Sequence, residues 1–324
     1  CNRRSEVYER IRNCRIIVGT VAAISGKPEL FRLKHFDVAI IDEATQILEP
    51  QLLGILCARG EDGKDAIDKF VLIGDHKQLP AVVQQNTEQS AIYDESLLSI
   101  GLTNLKDSLF ERLYRNCTAT VHRSYDMLCR QGRMHPEVAL FANRAFYGGR
   151  LIPVGLPHQI ESSDTICRLA FYPSVAEKAG ASAKINYSEA RIVADLAVRI
   201  YEDHQTDFDE SRTLGIITPY RSQIALIKKE IESLGIPALN RILVDTVERF
   251  QGSERDVIIY SFCVNYPYQL KFLSNLTEEE GVLIDRKLNV ALTRARKQMF
   301  ITGVPELLER NPLYKSLLKL IESF

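Results

Sequence analysis

The sequence predicts an α/β protein built on parallel sheets. Short unbroken apolar runs, such as residues 38–41 and 257–262, have the composition of strands that are buried on both faces. Segments with apolar residues at a helical period alternate with these runs, which is typical of βα units. The length of 324 residues is sufficient for two ordinary domains, each with its own core.

Each element is predicted from this periodicity. The expected strands are residues 16–18, 38–41, 71–73, 127–129, 166–171, 214–217, 242–244, 257–262 and 299–302. The expected helices include residues 137–145, 187–204, 222–233 and 285–293. Two polar segments, residues 84–106 and 266–281, are expected to be surface connectors or insertions.

The composition indicates an intracellular globular protein. A net charge of −1 gives no global basic field, so a nucleic-acid groove would have to be local. The seven cysteines are scattered and include no CxxC pair, which favours reduced thiols in the cytoplasm, or in the nucleus of a eukaryote. No apolar run is long enough to span a bilayer, so no membrane partner is expected.

Two adjacent carboxylates, Asp42 and Glu43, directly follow the apolar run at residues 38–41. Ligands of open α/β sheets bind beyond the carboxyl ends of the strands. At this edge Asp42 would bind Mg²⁺ and Glu43 would polarise a water that attacks a nucleotide. The alternative is a strand that ends in a solvated acidic turn.

The next apolar strand leads into Gly74 and Gln78. Gly74 permits a tight turn, and the amide of Gln78 can donate to a γ-phosphate while it accepts from the attacking water. Gln78 would therefore sense the triphosphate. The alternative for this segment is a polar turn bounded by glycine and proline.

Two arginines, Arg133 and Arg294, are candidate arginine fingers. Phosphoryl transfer spreads negative charge over the equatorial oxygens, and planar guanidinium groups can stabilise that charge. For Arg296 the stronger expectation is that it packs along the helix or pairs with a surface acid.

Two further strands end in a threonine, Thr218 and Thr246, that a turn or helix follows. Hydroxyl and amide groups at a helix start bind backbone phosphates without reading bases. Tyr220 could stack on a base, and its alternative is a role as a packing anchor. Glu254 could accept from a ribose hydroxyl, and its alternative is an ion pair with a neighbouring arginine.

Six segments in order resemble the later motifs of superfamily 1 helicases of the 5′-to-3′ type, in the branch of the nonsense-mediated-decay RNA helicase and the replication nuclease-helicase. They are DEATQ from Asp42, GDHKQLP from Gly74, QGRMHP from Gln131, TPYRSQ from Thr218, FQGSERD from Phe250 and NVALTRAR from Asn289. The resemblance implies two RecA-like P-loop NTPase domains: an incomplete one in residues 1–130 and a second in residues 131–324. It also implies ATP in the cleft and single-stranded DNA or RNA across the top.

The resemblance carries over to individual residues. It gives the catalytic and metal roles argued above to Asp42, Glu43, Gln78, Arg133 and Arg294. It assigns nucleotide contacts to Gln131, Gly252 and Glu254, and nucleic-acid contacts to Thr20, Thr218, Pro219, Tyr220, Gln223 and Thr246.

The sequence departs from the family pattern at two points. No GxxxxGK[ST] phosphate loop precedes the acidic strand. We therefore expect that loop to lie outside this chain and the chain alone to lack ATPase activity. Gly132 stands where many relatives carry a tyrosine that stacks on adenine, so weak selectivity for the base is expected.

Two other classes of protein are compatible with parts of this pattern. One is a nucleic-acid-binding or regulatory module that keeps the helicase fold without hydrolysing ATP. The other is a P-loop NTPase that does not act on nucleic acid, which the Thr218 and Thr246 turns disfavour. The sequence does not distinguish a DNA track from an RNA track or identify protein partners.

Overall fold

The chain divides into two compact units in a computed structural model that describes residues 2–120, 124–162, 166–177, 182–279 and 281–324. The N-terminal unit comprises Cys1–His76 and Pro80–Asp126, and the C-terminal unit comprises Lys77–Leu79 and Met127–Phe324. The expected α/β class with parallel sheets is confirmed. None of the helices among the described residues is long and apolar enough to cross a membrane.

The N-terminal unit contains a parallel pair of strands, β1 and β2, at Phe36–Ile41 and Ile67–Leu72. Its helices, α1 to α6, are Asn2–Asn13, Val21–Ser25, Pro28–Leu33, Glu49–Leu56, Glu95–Ser99 and Leu109–Thr118. A short 3₁₀ helix, Ala44–Gln46, follows β1. Phe31, Ile55 and Ile67 pack together in one of its two small apolar clusters.

The expected strand at residues 16–18 is not formed in this unit. The backbone there is irregular, and Ile16 and Val18 are 76% and 90% exposed. A strand needs a hydrogen-bonding neighbour, and β1 pairs only with β2 among the described residues.

The C-terminal unit is built on a five-stranded parallel sheet. The strands of the whole unit, β3 to β11, are Arg130–Gln131, Ile152–Pro153, Leu169–Pro173, Leu214–Ile217, Leu243–Asp245, Arg255–Ser261, Leu276–Glu279, Val282–Asp285 and Ala295–Gly303. Of these, β3 pairs with β4 and β9 pairs with β10 outside the five-stranded sheet. Its helices, α7 to α15, are Pro136–Phe146, Pro157–Ile160, Tyr187–Asp203, Arg221–Ser233, Val247–Phe250, Leu270–Leu273, Arg286–Leu292, Pro305–Leu308 and Pro312–Ile321. Short 3₁₀ helices lie at Leu239–Arg241 and Pro267–Gln269.

Helices cover both faces of this sheet, whose strand order is β5-β11-β8-β6-β7. Alternate residues of β6 face opposite sides, so Ile216 packs with α9 and α10 while Ile217 joins the cluster with α7 and α13. Both residues are fully buried. This double coverage explains why the strands have unbroken apolar sequences.

Three sequence expectations for this unit were inexact. The strand expected at 127–129 begins at Arg130, and the strand expected at 166–171 is Leu169–Pro173. The segment 266–281 was expected to be a surface excursion, but Leu270 and Leu273 are buried in the core. The segment is polar on average, so its composition did not indicate that these two leucines, one helical turn apart, are buried.

Candidate functional site

The acidic turn of the N-terminal unit, Asp42 and Glu43, lies at the carboxyl end of β1. The Ile73 amide donates to the Ile41 carbonyl at 2.8 Å, and the Ala44 amide donates to the Ile73 carbonyl at 2.7 Å. Both carboxylates are exposed between these backbone bonds. The fold therefore presents the predicted pair at the edge of the strands where α/β sheets bind ligands.

The backbone of Glu43 is in the left-handed region, with φ of 52°. The Glu43 amide donates to Oδ1 of Asp42 at 2.9 Å, and Oε2 of Glu43 accepts from Nε2 of Gln46 at 2.6 Å. Left-handed backbone is unfavourable for a residue with a Cβ and is concentrated at functional sites. The conformation of Glu43 is that of many functional residues, while the exposure of both carboxylates also fits the alternative of a solvated acidic turn.

Gly74 closes the turn beside this pair. A Cβ at position 74 would lie 2.9 Å from Cγ2 of Thr45 and 3.0 Å from the Thr45 amide nitrogen. Only glycine permits this close approach to the backbone, as the sequence predicted for the turn.

The donors at Asp42 suit a magnesium ion that is held largely by phosphates and water. Mg²⁺ in nucleotide sites takes one or two carboxylates and fills the rest of its octahedron with phosphate and water oxygens. Across the described residues there is no cluster of three or more His, Cys, Asp or Glu side chains arranged for a metal. Asp42 is an exposed carboxylate at the end of β1, and one such ligand is what a magnesium ion bound to phosphates takes from a protein.

Two guanidinium groups, those of Arg133 and Arg296, pair with Glu254 in the C-terminal unit. Nε of Arg133 donates to Oε2 of Glu254 at 2.6 Å, and Nε of Arg296 lies 3.6 Å from Oε1. The charge of Arg294 also acts on this carboxylate. We call Arg133, Arg294, Arg296 and Glu254 the guanidinium cluster.

The pKa of Glu254 is lowered within this cluster. Burial raises the pKa, but the hydrogen bond from Arg133 and the charges of Arg133, Arg296 and Arg294 outweigh it. Glu254 is therefore ionised at neutral pH. Its predicted alternative, an ion pair with Arg249 or Arg255, is not what the structure shows: the side chain of Glu254 pairs with Arg133 and Arg296.

Arg296 also pairs with a second acid. Its Nη1 lies 3.2 Å from Oδ1 of Asp256, which is 5% exposed. Lys297 lies 3.1 Å from the other carboxylate oxygen of Asp256. Arg296 thus follows the expectation of an acid partner, although it lies in β11; of its two acids, Glu254 is exposed and Asp256 is buried.

The loop that carries Arg133 is fixed by amide side chains. Oε1 of Gln131 accepts from the amides of Arg133 and Met134 at 3.0 and 2.8 Å, and its Nε2 donates to the Met134 carbonyl at 2.8 Å. Nε2 of Gln159 donates to the carbonyls of Gln131 and Met134. His158 contacts the Arg133 carbonyl at 2.7 Å.

These bonds give Gln131 a structural role, because its amide shapes the turn that presents Arg133. The nucleotide contact that the family resemblance implies for this half-buried residue stays a prediction. His158 and Gln159, which were not singled out, support the same turn. Their separation of 25 and 28 residues from their partners leaves no local signal in the sequence.

Arg294 and Gln78 lie together in the C-terminal unit. Nη2 of Arg294 donates to Oε1 of Gln78 at 3.1 Å, and Nε donates to the Val290 carbonyl at 3.1 Å. Nδ2 of Asn289 donates to the Lys77 carbonyl at 2.8 Å, which holds the Gln78 segment in this unit. The structure thus brings two predicted phosphate-sensing groups into contact. Arg294 is only 2% exposed.

Gly252 provides the turn between α11 and β8. Its φ of 79° is left-handed, and a Cβ there would meet no atom within 4 Å. Conformation, and not space, therefore requires glycine at this position. The carbonyl of the next residue, Ser253, lies 3.5 Å from Nη1 of Arg294.

The residues predicted to contact nucleic acid occupy several strand ends. Thr218 follows β6 and is fully buried, and its hydroxyl has no hydrogen-bond partner in the part of the chain that the structure describes. Pro219 and Tyr220 follow it and are half-buried. Thr246 follows β7 as the residue before α11 and is also half-buried.

Gln223 has a structural role in place of the predicted contact with nucleic acid. It is fully buried, its Oε1 accepts from the Asn186 amide at 2.9 Å, and its Nε2 donates to the Asn186 carbonyl at 3.0 Å. These two bonds join the start of α9 to α10. The motif spacing could not show that the side chain points into the core.

Thr20 in the N-terminal unit is the N-cap of α2. Its Oγ1 accepts from the Ala23 amide at 3.2 Å, and the residue is exposed. The hydroxyl can still donate to a phosphate while it caps the helix.

A buried carboxylate, Glu189, holds the end of β8. Its Oε2 accepts from Oγ of Ser261 at 2.6 Å and from the Cys263 amide at 2.8 Å. Burial raises the pKa of Glu189 from 4.5 to about 7, although these hydrogen bonds favour the ionised form. Cys263 is in the left-handed region, with φ of 49°.

No local pattern predicted that Glu189 is buried. Asn186 caps α9 and Glu189 stands three residues later, which is the spacing of a capping box at the surface. Glu189 instead points toward the strand ends, because Ser261 and Cys263 offer donors there.

Family models and relatives agree with this architecture. Two family models, each described as an AAA domain, match the chain over residues 105–306 and residues 2–86. The chain therefore belongs to this AAA-domain family.

The relatives are helicases. The DNA replication ATP-dependent helicase/nuclease DNA2 of Xenopus laevis is 30% identical over 93% of this chain and 28% of that protein. The probable helicase MAGATAMA 3 of Arabidopsis thaliana is 31% identical over 94% of this chain and 35% of that protein. The chain thus spans about a third of the length of these two relatives. Together with the AAA-domain matches, they confirm the predicted membership of the superfamily 1 helicases.

Among solved structures, a complex of arterivirus nonstructural protein 10, a helicase, with DNA is 12% identical. The match covers 96% of this chain and 60% of that chain, with a TM-score of 0.37.

Proposed function

We propose that this chain is the motor portion of an ATP-dependent helicase that moves on single-stranded DNA or RNA. The observation that carries the proposal is the guanidinium cluster, in which Arg133 and Arg296 pair with the ionised carboxylate of Glu254 while Arg294 donates to Gln78 in the same unit. Such an excess of planar donors suits a polyphosphate. Membership of the superfamily 1 helicases supports this interpretation.

Each residue has a distinct task in this proposal. Asp42 would hold Mg²⁺, and Glu43 would accept a hydrogen bond from the attacking water and orient it. Bound Mg²⁺ supplies positive charge to the phosphate oxygens. Arg133 and Arg294 would stabilise the charge that develops on the transferred phosphoryl group.

Glu254 and Gln78 would report the state of the nucleotide. Glu254 would accept from a ribose hydroxyl, and this contact competes with its bond to Arg133. Gln78, which now accepts from Arg294, would donate to the γ-phosphate. Binding of ATP would thus release Arg133 toward phosphate, while Gln78 would donate through Nε2 and still accept from Arg294 through Oε1.

The nucleic-acid track would lie along the strand ends near Pro219, Tyr220 and Thr246, which are half-buried, whereas the side chain of Thr218 is fully buried and does not reach this surface. Hydroxyls and backbone amides in such positions contact phosphates, which gives affinity without sequence preference. DNA and RNA are both suitable on this basis.

A comparison of two proteins tests the proposal. The full-length protein should hydrolyse ATP faster when single-stranded oligonucleotide is added. The 324-residue chain, which contains no GxxxxGK[ST] segment, should bind the oligonucleotide without appreciable turnover. Binding without hydrolysis by the full-length protein would favour the alternative of a non-hydrolysing module, and robust turnover by the chain alone would refute the second expectation.

A further inference from the structure

Three aromatic side chains follow β8 in the C-terminal unit and form a connected surface. The rings of Tyr266 and Tyr268 are 5.8 Å apart between centroids and 19° from parallel. The ring of Phe272 stands edge-on to Tyr268 at 6.5 Å. Tyr268 and Phe272 are 54% and 68% exposed. We call these three residues the aromatic ladder.

Buried residues of the same segment fix the backbone that carries the aromatic ladder. Leu270 and Leu273 are 8% and 2% exposed and belong to the core. Gln269 is 2% exposed, and its Oε1 accepts from the amides of Asn265 and Tyr266 at 2.8 and 2.9 Å. The fold therefore fixes this segment and still exposes its aromatic rings, although burial of an aromatic ring is favourable.

The ladder is linked through Gln269 to Tyr220, which the proposed nucleic-acid track already includes. Nε2 of Gln269 donates to the hydroxyl of Tyr220 at 3.3 Å, and Oε1 of Gln269 accepts from the Tyr266 amide at 2.9 Å. These bonds place a predicted site residue beside the segment that carries the exposed rings.

Positive charge accompanies these rings. Nζ of Lys184 lies 5.9 Å from the centroid of the Tyr220 ring. Lys271 is exposed next to Phe272 in the same short helix. Glu279, on the strand that follows, is paired with Lys77 at 3.7 Å. Aromatic rings interleaved with lysines are the composition of sites that bind single strands.

We propose that the aromatic ladder, together with Tyr220, is a stacking platform for the bases of single-stranded nucleic acid. The proposal rests on the proposed function and extends it from phosphate contacts to base contacts. Every base has a face that can stack, so this platform would add affinity without adding sequence preference. The alternative occupant of this surface is a protein partner, and in that case the ladder variants would bind nucleic acid as the wild type does.

The chain contains no tryptophan, which provides a direct probe. The variant Tyr268→Trp carries a single indole, whose fluorescence should be quenched by an oligothymidylate and not by an abasic strand of equal length. The matched control Tyr93→Trp places the indole at a tyrosine that is 82% exposed in the N-terminal unit, and it should show no quenching.

Affinity provides the second measurement. By fluorescence anisotropy, Tyr268→Ala and Phe272→Ala should each weaken binding of oligothymidylate by roughly 10-fold and leave binding of the abasic strand unchanged. Tyr93→Ala should change neither affinity. Because Tyr268 and Phe272 are exposed, thermal unfolding of both variants should match that of the wild type.

The outcomes separate this inference from the proposed function. If the wild-type chain binds intact and abasic strands equally and the ladder variants bind as wild type, the platform is refuted while phosphate tracking stands. If the wild-type chain binds neither strand, both proposals fail. An equal loss of affinity for the oligothymidylate and for the abasic strand in the ladder variants would also contradict stacking.

Discussion

Nε of Arg133 donates to Oε2 of Glu254 at 2.6 Å, so a predicted phosphate ligand and a predicted ribose ligand are partners in one ion pair. The two residues are 121 positions apart in the sequence, and no local pattern connects them. In the proposed mechanism this pair holds Arg133 in place until the nucleotide supplies competing oxygens.

Replacement of Arg133 should therefore act on turnover. In the full-length protein, Arg133→Ala should lower kcat by about 10³-fold, because a guanidinium that stabilises the transferred phosphoryl group contributes at least that much. Steady-state ATPase measurement checks this, with Arg249→Ala at an exposed position as the control. A kcat within twofold of wild type would remove Arg133 from the proposed role.

The buried Glu189 predicts a pH dependence of stability. Its pKa is 4.5 in the unfolded chain and about 7 in the folded protein, so between these values only the folded state retains the proton. The free energy of unfolding should consequently fall as pH rises from about 4.5 to about 7, by on the order of 3 kcal/mol.

Urea unfolding at pH 5 and pH 8 measures this effect. Glu189→Gln keeps an uncharged side chain of the same size and should flatten the pH slope. The matched change Glu232→Gln on the exposed side of α10 should leave it as in wild type. An unchanged slope in Glu189→Gln would assign the pH dependence to other groups.

The close packing of β6 predicts that Gly215 cannot be enlarged. A Cβ at this position would lie 2.8 Å from Cε1 of Phe250 and 2.9 Å from Cγ of Arg255. Gly215→Ala should destabilise the C-terminal unit by about 1–3 kcal/mol, as is usual for overpacking. Gly132→Ala is the matched control, because the nearest atom to its Cβ is 3.4 Å away. Equal thermal stabilities for the two variants would contradict the packing described at β6.

Because Gln223 forms hydrogen bonds with the Asn186 backbone, removal of its side chain should lower stability and leave the affinity for nucleic acid unchanged. Gln223→Ala should lower the free energy of unfolding by about 1–3 kcal/mol, because the Asn186 amide is left buried and unpaired. At a temperature where the variant is folded, its affinity for oligothymidylate should equal that of wild type. A tenfold weaker affinity in the folded variant would restore the sequence-based assignment.

Gly132 predicts weak discrimination between nucleotide bases. The full-length protein should use ATP and other NTPs with similar kcat/KM. Gly132→Tyr should introduce a preference for ATP by offering a ring to the adenine, and the neighbours of a Cβ there, Leu156 and Val154, lie at ordinary distances of 3.4 and 3.5 Å. A strong ATP preference in the wild-type protein would contradict this prediction.

Much of the fold followed from local sequence. The apolar runs at 214–217 and 257–262 form strands that are buried on both faces, as their unbroken apolar residues predict. The run at 38–41 also lies within a strand, but the expected burial is wrong there, since Val38 and Ile40 are 45% and 66% exposed. The helix expected at 187–204 is Tyr187–Asp203. The strand expected at 16–18 failed because pairing, and not propensity, decides whether a strand forms.

The site followed from the sequence only in part. Motif order predicted that Arg133, Arg294, Gln78 and Glu254 serve one purpose, and the structure brings them together in one unit. It did not predict the inward direction of Gln131 and Gln223, because an amide suits a ligand and a buried backbone equally well. The support from His158 and Gln159 depends on contacts that only the folded chain creates.

In the proposed function, the chain belongs to a nucleic-acid-driven ATPase in which Glu43 orients the attacking water. The most direct test is the ATPase rate of the full-length protein with and without single-stranded oligonucleotide, for wild type, Glu43→Gln and the exposed control Glu61→Gln. We predict stimulation in wild type and in the control, and a loss of at least about 10²-fold in Glu43→Gln. An absence of stimulation together with unchanged turnover in Glu43→Gln would contradict the account.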